Sequence, residues 1–285
     1  MTQRSSELRT IARRVAQAHA AFGDATMMAL VSGSVVEDIA DDRSDVDMAI
    51  SFDRLPAEAA LASACEAGGG APWHWQAGAH ADGGLVAAFR QDGVEVQIAY
   101  TDRATLAREL DQVLVTHDPD TPAHKLAEGL LKAEPLFGAA QLRALQARVA
   151  AFPPALGRAM AAHFLGRVTP WHAIGQIVHR DATIWCRQLQ AEAGYRLLGA
   201  LAGLNGRYFT TFQFKRMHRF ARGLPLAPHA FVQRIEEALH GDAAQGFRTL
   251  HELEAQVVSL VASRWPDLDL SAVRARHAGF DAEAP

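Results

Sequence analysis

The chain has two cysteines in 285 residues, Cys65 and Cys186, far apart and in no metal-ligand spacing. A disulfide framework and a cysteine-based metal site are therefore not expected, and both read as small buried residues. An excess of either charge is also missing: 28 Lys and Arg against 32 Asp and Glu leave a net charge of −4. With a pI of about 6.3, this speaks against a strongly basic face for nucleic acid, although a local basic groove stays open. No apolar run approaches membrane-spanning length, so no membrane partner is expected. The opening Met-Thr-Gln-Arg-Ser-Ser-Glu-Leu-Arg is charged and lacks the apolar core of a signal peptide, so a cytoplasmic location is expected. No fixed-length repeat and no low-complexity linker occur. Gly-x-x-x-x-Gly-Lys-Ser/Thr is absent, which speaks against a kinase of the P-loop type.

Apolar residues make up 49% of the chain, enough for one large domain or two ordinary ones. The most informative stretch runs from Ala29 to Phe52. An apolar run, Met28 to Val31, ends in Gly33-Ser34. Nine polar-rich residues follow, Val35 to Arg43. Ser44-Asp45-Val46-Asp47 then opens a second apolar run, Met48 to Phe52. The pattern reads as strand, tight turn with a short connection, strand.

That spacing has chemical content. Side chains alternate along a strand, so Asp45 and Asp47 point the same way. Two adjacent carboxylates repel, and a cation between them keeps both ionised. A hard ion such as Mg2+ needs few protein ligands when substrate phosphates complete its shell. Gly33 lets the backbone approach a phosphate, and Ser34 can offer it a hydroxyl and a backbone N–H. The alternative is a surface strand with solvated acids after an ordinary glycine turn.

Gly33-Ser34 followed by Ser44-Asp45-Val46-Asp47 resembles the signature of the DNA polymerase β-like nucleotidyltransferase superfamily, especially its bacterial antibiotic-nucleotidyltransferase-like branch with a C-terminal helical domain. The likeness is specific over the first domain only. Many relatives carry glycine four places after the motif serine; here that place is Asp38, so a differently shaped turn is expected. The resemblance implies an α+β fold: an N-terminal nucleotidyltransferase fold with a mixed sheet flanked by helices, then an all-α helical domain. It implies transfer of a nucleoside monophosphate from a nucleoside triphosphate, with ATP the default, and release of pyrophosphate. It also implies a third carboxylate on a later strand.

Taken in order, Ser5 to Phe22 has a helical apolar stripe, with His19 on it and Arg9, Arg13 and Arg14 forming a solvated face. Arg54 to Glu66 is a second helix. Trp73-His74-Trp75 reads as an edge strand or loop, or as rings that stack a base. Leu85 to Phe89 and Val94 to Tyr100 form a hairpin about Asp92-Gly93. In its second arm Glu95, Gln97 and Ala99 share one face, and Glu95 is the candidate third carboxylate, with Asp102 the runner-up. Thr105 to Leu114 is helical, and Val115 to Pro122 closes the first domain. The expected domains are 1–120, nucleotidyltransferase, and 121–285, helical.

Beyond Pro122 period-two patterning is nearly absent. Successive helices are expected, among them Trp171 to Glu192, with His179-Arg180-Asp181 inside it, and Arg196 to Leu204 after a break at Gly194. The tail from Ala278 is expected to be loose. Leu204-Asn205-Gly206-Arg207-Tyr208-Phe209 and Lys215 resemble a segment of the helical domain of bacterial nucleotidyltransferase-like proteins. By that resemblance Asn205, Arg207, Tyr208 and Lys215 join Gly33, Ser34 and Ser44 as nucleotide-binding residues. The other reading is an ordinary inter-helix turn with a solvated basic face.

The implied enzyme holds one or two Mg2+ ions on Asp45, Asp47 and Glu95, and Glu95 can also serve as the base. Its acceptor is a small hydroxylated molecule, by family analogy an aminoglycoside or lincosamide. The acids Glu37, Asp38, Asp41, Asp42 and Asp82 are a patch for such a polycation or a solvated loop. Alternatives are a catalytically silent nucleotide-binding module and an enzyme that nucleotidylates a protein or a tRNA; mild acidity speaks against nucleic acid.

Overall fold

Alternating apolar residues in the first third of the chain build strands with one greasy face. In the computed structural model, which describes residues 2–167, 171 and 174–280 and only the backbone of 23–27, six strands form one sheet. They are β1 (Thr26–Val31), β2 (Val46–Phe52), β3 (Trp75–Ala79), β4 (Gly84–Gln91), β5 (Val94–Asp102) and β6 (Glu134–Phe137). Their order is β3-β4-β5-β2-β1-β6. β2 and β5 are parallel and every other pair is antiparallel, so the sheet is mixed and the chain is α+β. The hairpin turn between β4 and β5 has Asp92 at φ 52° and Gly93 at φ 78°, the left-handed pair that an Asp-Gly turn supplies.

Five helices accompany these strands in sequence: α1 (Gln3–His19), α2 (Glu58–Ala67), α3 (Arg103–Leu114), α4 (Ala123–Lys132) and α5 (Ala139–Ala150). The chain divides into two units, Met1–Val115 with Leu126–Ala151, and Thr116–Lys125 with Phe152–Pro285. Residues 126–151, expected in the helical region, thus belong with the sheet. Glu-Pro-Leu-Phe is too short to display a period, and its proline is tolerated because β6 is an edge strand.

One core cluster of this unit lies on the sheet face that α1 and α2 cover. Leu8, Ile11, Ala12 and Val15 of α1 and Leu61 and Cys65 of α2 pack on Val46, Met48, Ile50, Val96, Ile98 and Tyr100. Each large side chain buried there contributes about 1.5–3 kcal/mol. His19 is the packed histidine its place on the stripe implies: it is buried, with Nδ1 at 2.8 Å from the Val15 carbonyl and Nε2 at 2.8 Å from the Tyr100 hydroxyl. Burial holds its pKa down. Trp73 stacks on Tyr100 and donates its Nε1–H to Cys65 Sγ at 3.3 Å. Both cysteines are free and buried.

Arg9 departs from the expected solvated face. It is 7% exposed. It donates twice to Glu134 of β6, at 2.9 Å each, and once to Asp38, at 3.0 Å. These bonds, that to Glu134 foremost, raise its pKa against the cost of burial. A helical wheel cannot register this, because the partners lie far away in sequence.

The second unit contains, among its described residues, helices and turns but no strand. Its helices are α6 (Pro154–Gly166), α7 (Ile174–Val178), α8 (Thr183–Leu204), α9 (Met217–Arg222), α10 (Phe231–His240), α11 (Ala243–Arg264) and α12 (Ser271–Ala278). Two expectations change here. The helix expected from Trp171 to Glu192 is broken, and His179-Arg180-Asp181 lies in the turn between α7 and α8, where Arg180 N–H bonds Ile177 O and Ala182 N–H bonds Arg180 O. Residues 172–173 of that span, the break at Pro170 and the tail 281–285 lie outside the described residues. Gly194 ends nothing: α8 runs through it, because Ile235 of α10 occupies the space beside it, 3.1 Å from where a Cβ would sit. α6 and α8 approach still more closely, so that a Cβ on Gly157 would lie 2.6 Å from the Gly203 carbonyl oxygen. Among the described residues no helix is long and apolar enough to cross a membrane.

Glu254 on α11 is fully buried and accepts a hydrogen bond from Trp171 Nε1. Arg276 Nη2 stands 3.8 Å away. Burial outweighs both partners and pushes the carboxyl up to about 7.

Two predictions follow from these buried charges. Arg9→Met removes three charge-assisted bonds but leaves Glu134 and Asp38 half exposed, so a loss of about 2 kcal/mol is expected in urea unfolding. For Glu254 the folded-state pKa lies above the unfolded one, so the folded protein holds the extra proton between them. Stability should fall by an amount on the order of 2–3 kcal/mol as pH rises from about 4.5 to about 7, then level off. Glu254→Gln should abolish that decline; an identical pH profile for the variant would refute the assignment.

Candidate functional site

The opposite face of the sheet carries polar residues that the α1–α2 side excludes. Because paired residues share a face, the pairings Trp75↔Ala88, Ala88↔Gln97 and Gln97↔Asp47 lay these four residues in one row across β3, β4, β5 and β2. Asp45 lies just before β2 on the same face, with Gln97 Nε2 at 3.5 Å from its Oδ2. Glu95 stands one pair further along β5.

The turn after β1 meets this row at Asp47. Ser32 N–H donates to the Asp47 carbonyl at 2.9 Å. Gly33 then turns left-handed, with φ 68°. A Cβ there would sit 2.4 Å from Asp47 Oδ2, so any side chain would collide with the carboxylate. Gly33 is thus required twice, for its φ and for the close approach. Ser34 follows, and its Oγ is buried with no hydrogen-bond partner among the described residues. A short helical turn continues, with Glu37 N–H on Gly33 O and Ile39 N–H on Ser34 O. Asp38 is itself left-handed, with φ 54°. Asp38 thus takes a conformation that favours glycine, and its carboxylate pairs with Arg9.

Other expected residues are absorbed by structure. Ser44 closes its own turn: its Oγ accepts from Asp41 N–H at 2.9 Å and contacts Asp41 Oδ1 at 3.1 Å. Asp102 caps α3, accepting from Thr105 N–H at 2.7 Å. Of the acidic patch, Glu37 pairs with Lys132, Asp38 with Arg9, and Asp41 accepts from Arg43 N–H. Glu95 is 30% exposed in its side chain and lies 3.3 Å from His74 Nε2. The pairing partner of Asp47 on β5 is Gln97, an amide. Among the described residues no group of three or more His, Cys, Asp or Glu is placed to hold a metal ion. Asp45 and Asp47 are carboxylate donors of the kind that suits an ion whose other ligands come from a substrate's phosphates.

Asn205, Arg207, Tyr208 and Lys215 belong to the second unit. The Asn205 amide is spent on backbone: Nδ2 donates to Leu201 O and Leu226 O, and Oδ1 accepts from Leu226 N–H. Tyr208 is 1% exposed, its ring against Phe152 and His124. Both fix the turn and have little surface to offer a ligand. Arg207 and Lys215 do reach solvent. Sequence reasoning passed over His74 and Gln97 in this role. Their signal is weak, because only the strand pairing brings them beside the carboxylates.

Compared with known proteins, the chain matches no family model and no curated protein. Among solved structures it is similar to a nucleotidyltransferase-like protein from Exiguobacterium sibiricum, with a TM-score of 0.42 and 11% identity over 90% of this chain and 74% of that one. A likeness at that level carries no functional argument.

The turn geometry is testable by two substitutions. Gly33→Ala should cost about 1–2 kcal/mol from its left-handed backbone alone, with a further penalty as Asp47 is displaced. Ser34→Ala should leave thermal stability unchanged or slightly raised, since it removes a buried hydroxyl with no partner. A clear loss of stability in Ser34→Ala would mean that the hydroxyl serves the fold.

Proposed function

We propose that this chain transfers a nucleoside monophosphate, from ATP by default, to a hydroxyl of a small-molecule acceptor and releases pyrophosphate. The observation that carries the reading is the Gly33-Ser34 turn: it presses on the Asp47 carboxylate while presenting a buried hydroxyl that nothing in the described chain satisfies. A turn that serves only the fold would bond that hydroxyl internally. A triphosphate oxygen is the partner that suits it, beside two carboxylates that suit its metal.

In this reading Gly33 and Ser34 bind the β,γ-phosphates, and Asp45 and Asp47 hold Mg2+, one ion being the number this donor set favours. When bound, Mg2+ would neutralise the charge that builds on the phosphates. Displacement is in line, so the acceptor enters opposite the leaving pyrophosphate. With the phosphates at the β1 end, that is the side of β5, β4 and β3. Glu95, His74 and the half-exposed Trp75 stand there. The acceptor oxygen bonds to the α-phosphorus, the bond to the bridging oxygen breaks, and the hydroxyl proton passes to Glu95. His74, 3.3 Å from Glu95, orients that carboxylate. Positioning and charge compensation supply most of the rate.

A second reading has an observation of its own. Gln97 stands where a carboxylate beside Asp47 would complete a three-acid site. A chain that binds a nucleotide without turning it over would have that composition.

The experiment is a calorimetric titration of a non-hydrolysable ATP analogue with Mg2+, alongside an assay of pyrophosphate release over a panel of hydroxylated acceptors. Binding that needs Mg2+ and is lost in Asp45→Asn/Asp47→Asn is expected, as is a fall in turnover of about a hundredfold or more. Ser34→Ala should weaken binding. Tight binding with no release on any acceptor would favour the second reading. No binding of ATP, GTP, CTP or UTP analogues would defeat both.

A further inference from the structure

The second unit carries a charge pattern at odds with the rest of the chain. From Ala193 to Ile235 there is no Asp or Glu, while Arg207, Lys215, Arg216, Arg219 and Arg222 crowd a short strap. The strap comprises the turn at Asn205-Gly206, a 3-10 segment from Thr211 to Arg216, and α9. Lys215, Arg216 and Arg222 are exposed, and among the described residues neither they nor Arg207 take part in an ion pair. The Arg207 guanidinium lies beside the residue that ends α9: a Cβ on Gly223 would lie 3.8 Å from Arg207 Nη1.

Between the cations stand exposed aromatic rings. Phe212 is 48% and Phe214 40% exposed. Lys125 Nζ lies 4.0 Å and Lys215 Nζ 5.8 Å from the centre of the Phe212 ring. Phe214 rests edge-on against Tyr195. The rings are held out by fixed structure. The Asn205 amide ties the start of the strap to Leu226, Thr210 and Gln213 form a capping box, and Phe209 N–H donates to the buried His124. A face built only for solubility has no use for two phenylalanines. An apolar docking face would not surround them with unpaired cations. Exposed rings beside cations on one strap match a strand of bases and phosphates, in which rings stack bases and cations neutralise phosphates.

We infer that the strap from Arg207 to Arg222 binds single-stranded nucleic acid, with Phe212 and Phe214 as stacking platforms and Lys215, Arg216 and Arg222 on the phosphates. The mild overall acidity that spoke against nucleic acid is an average over the chain, and the strap escapes it. This inference does not rest on the nucleotidyl-transfer reading.

The test is fluorescence anisotropy of the full chain with labelled oligouridylate and oligothymidylate of about 15 nucleotides, across a salt series. Binding should weaken with salt on a log–log slope of about −2 to −3, for three to four phosphates neutralised on a single strand. Phe212→Ala and Phe214→Ala should each weaken binding between about 5- and 150-fold. Lys215→Glu/Arg216→Glu should do the same and flatten the salt slope. Arg143→Glu, an exposed charge reversal in the first unit, should change nothing. Preference for the uridylate would identify RNA, and equal binding would identify single strands in general. The inference is overturned if neither oligonucleotide binds at low salt. It is also overturned if only phosphatidylserine-containing vesicles bind, which would make the strap a membrane contact. Loss on charge reversal with no effect of either alanine substitution would reduce it to a general polyanion surface and overturn the stacking assignment.

Discussion

The candidate site depends on the parallel pairing of β2 with β5. In an otherwise antiparallel sheet, this one pair aligns Asp47 with Gln97 and brings Asp45 and Glu95 alongside on the same face. A slip of one residue would turn the acids into a core lined by Val46, Met48, Val96 and Ile98, where unpaired carboxylates are prohibitively costly. The apolar face therefore fixes the polar one. The packing of α1 and α2 on the sheet positions the carboxylates without touching them.

The turn after β1 obeys the same economy. Gly33 must be bare because Asp47 is already there, and Asp38 can be left-handed because Arg9 holds its carboxylate. From α1, Arg9 bonds both Asp38 of the turn and Glu134 of β6, so one buried cation joins the first helix, the connecting turn and the sheet edge. Ser34 stands apart within this bonded framework, its hydroxyl unsatisfied among the described residues. Evolution tolerates such an atom where something else satisfies it during function.

The second unit uses different physics. Its helices meet through glycines where backbones nearly touch, as at Gly157 and Gly203, and buried polar groups are tied by specific bonds, as at His124. Rigid packing of this kind lets a short strap hold cations and rings in water at little entropic cost. Glu254 is the exception that makes the unit sensitive to pH, since its partners do not fully offset its burial.

From the sequence alone, many of the chain's elements and the local geometry of the candidate site were legible. Alternation gave β2 and β5, the Asp-Gly pair gave their hairpin neighbour, and the spacing of Gly33, Ser34, Asp45 and Asp47 gave a turn beside two like-facing acids, because these are properties of local backbone geometry. Burial of His19 followed from its place on an apolar stripe. The tertiary structure decided what depends on distant partners: that Arg9 is buried, that β6 joins the sheet, that Asn205 is tied to Leu226, and that Glu95 meets His74 while Gln97 meets Asp47. Local pattern says which way a side chain faces. Only the fold says what it faces, because that is set by residues tens of positions away.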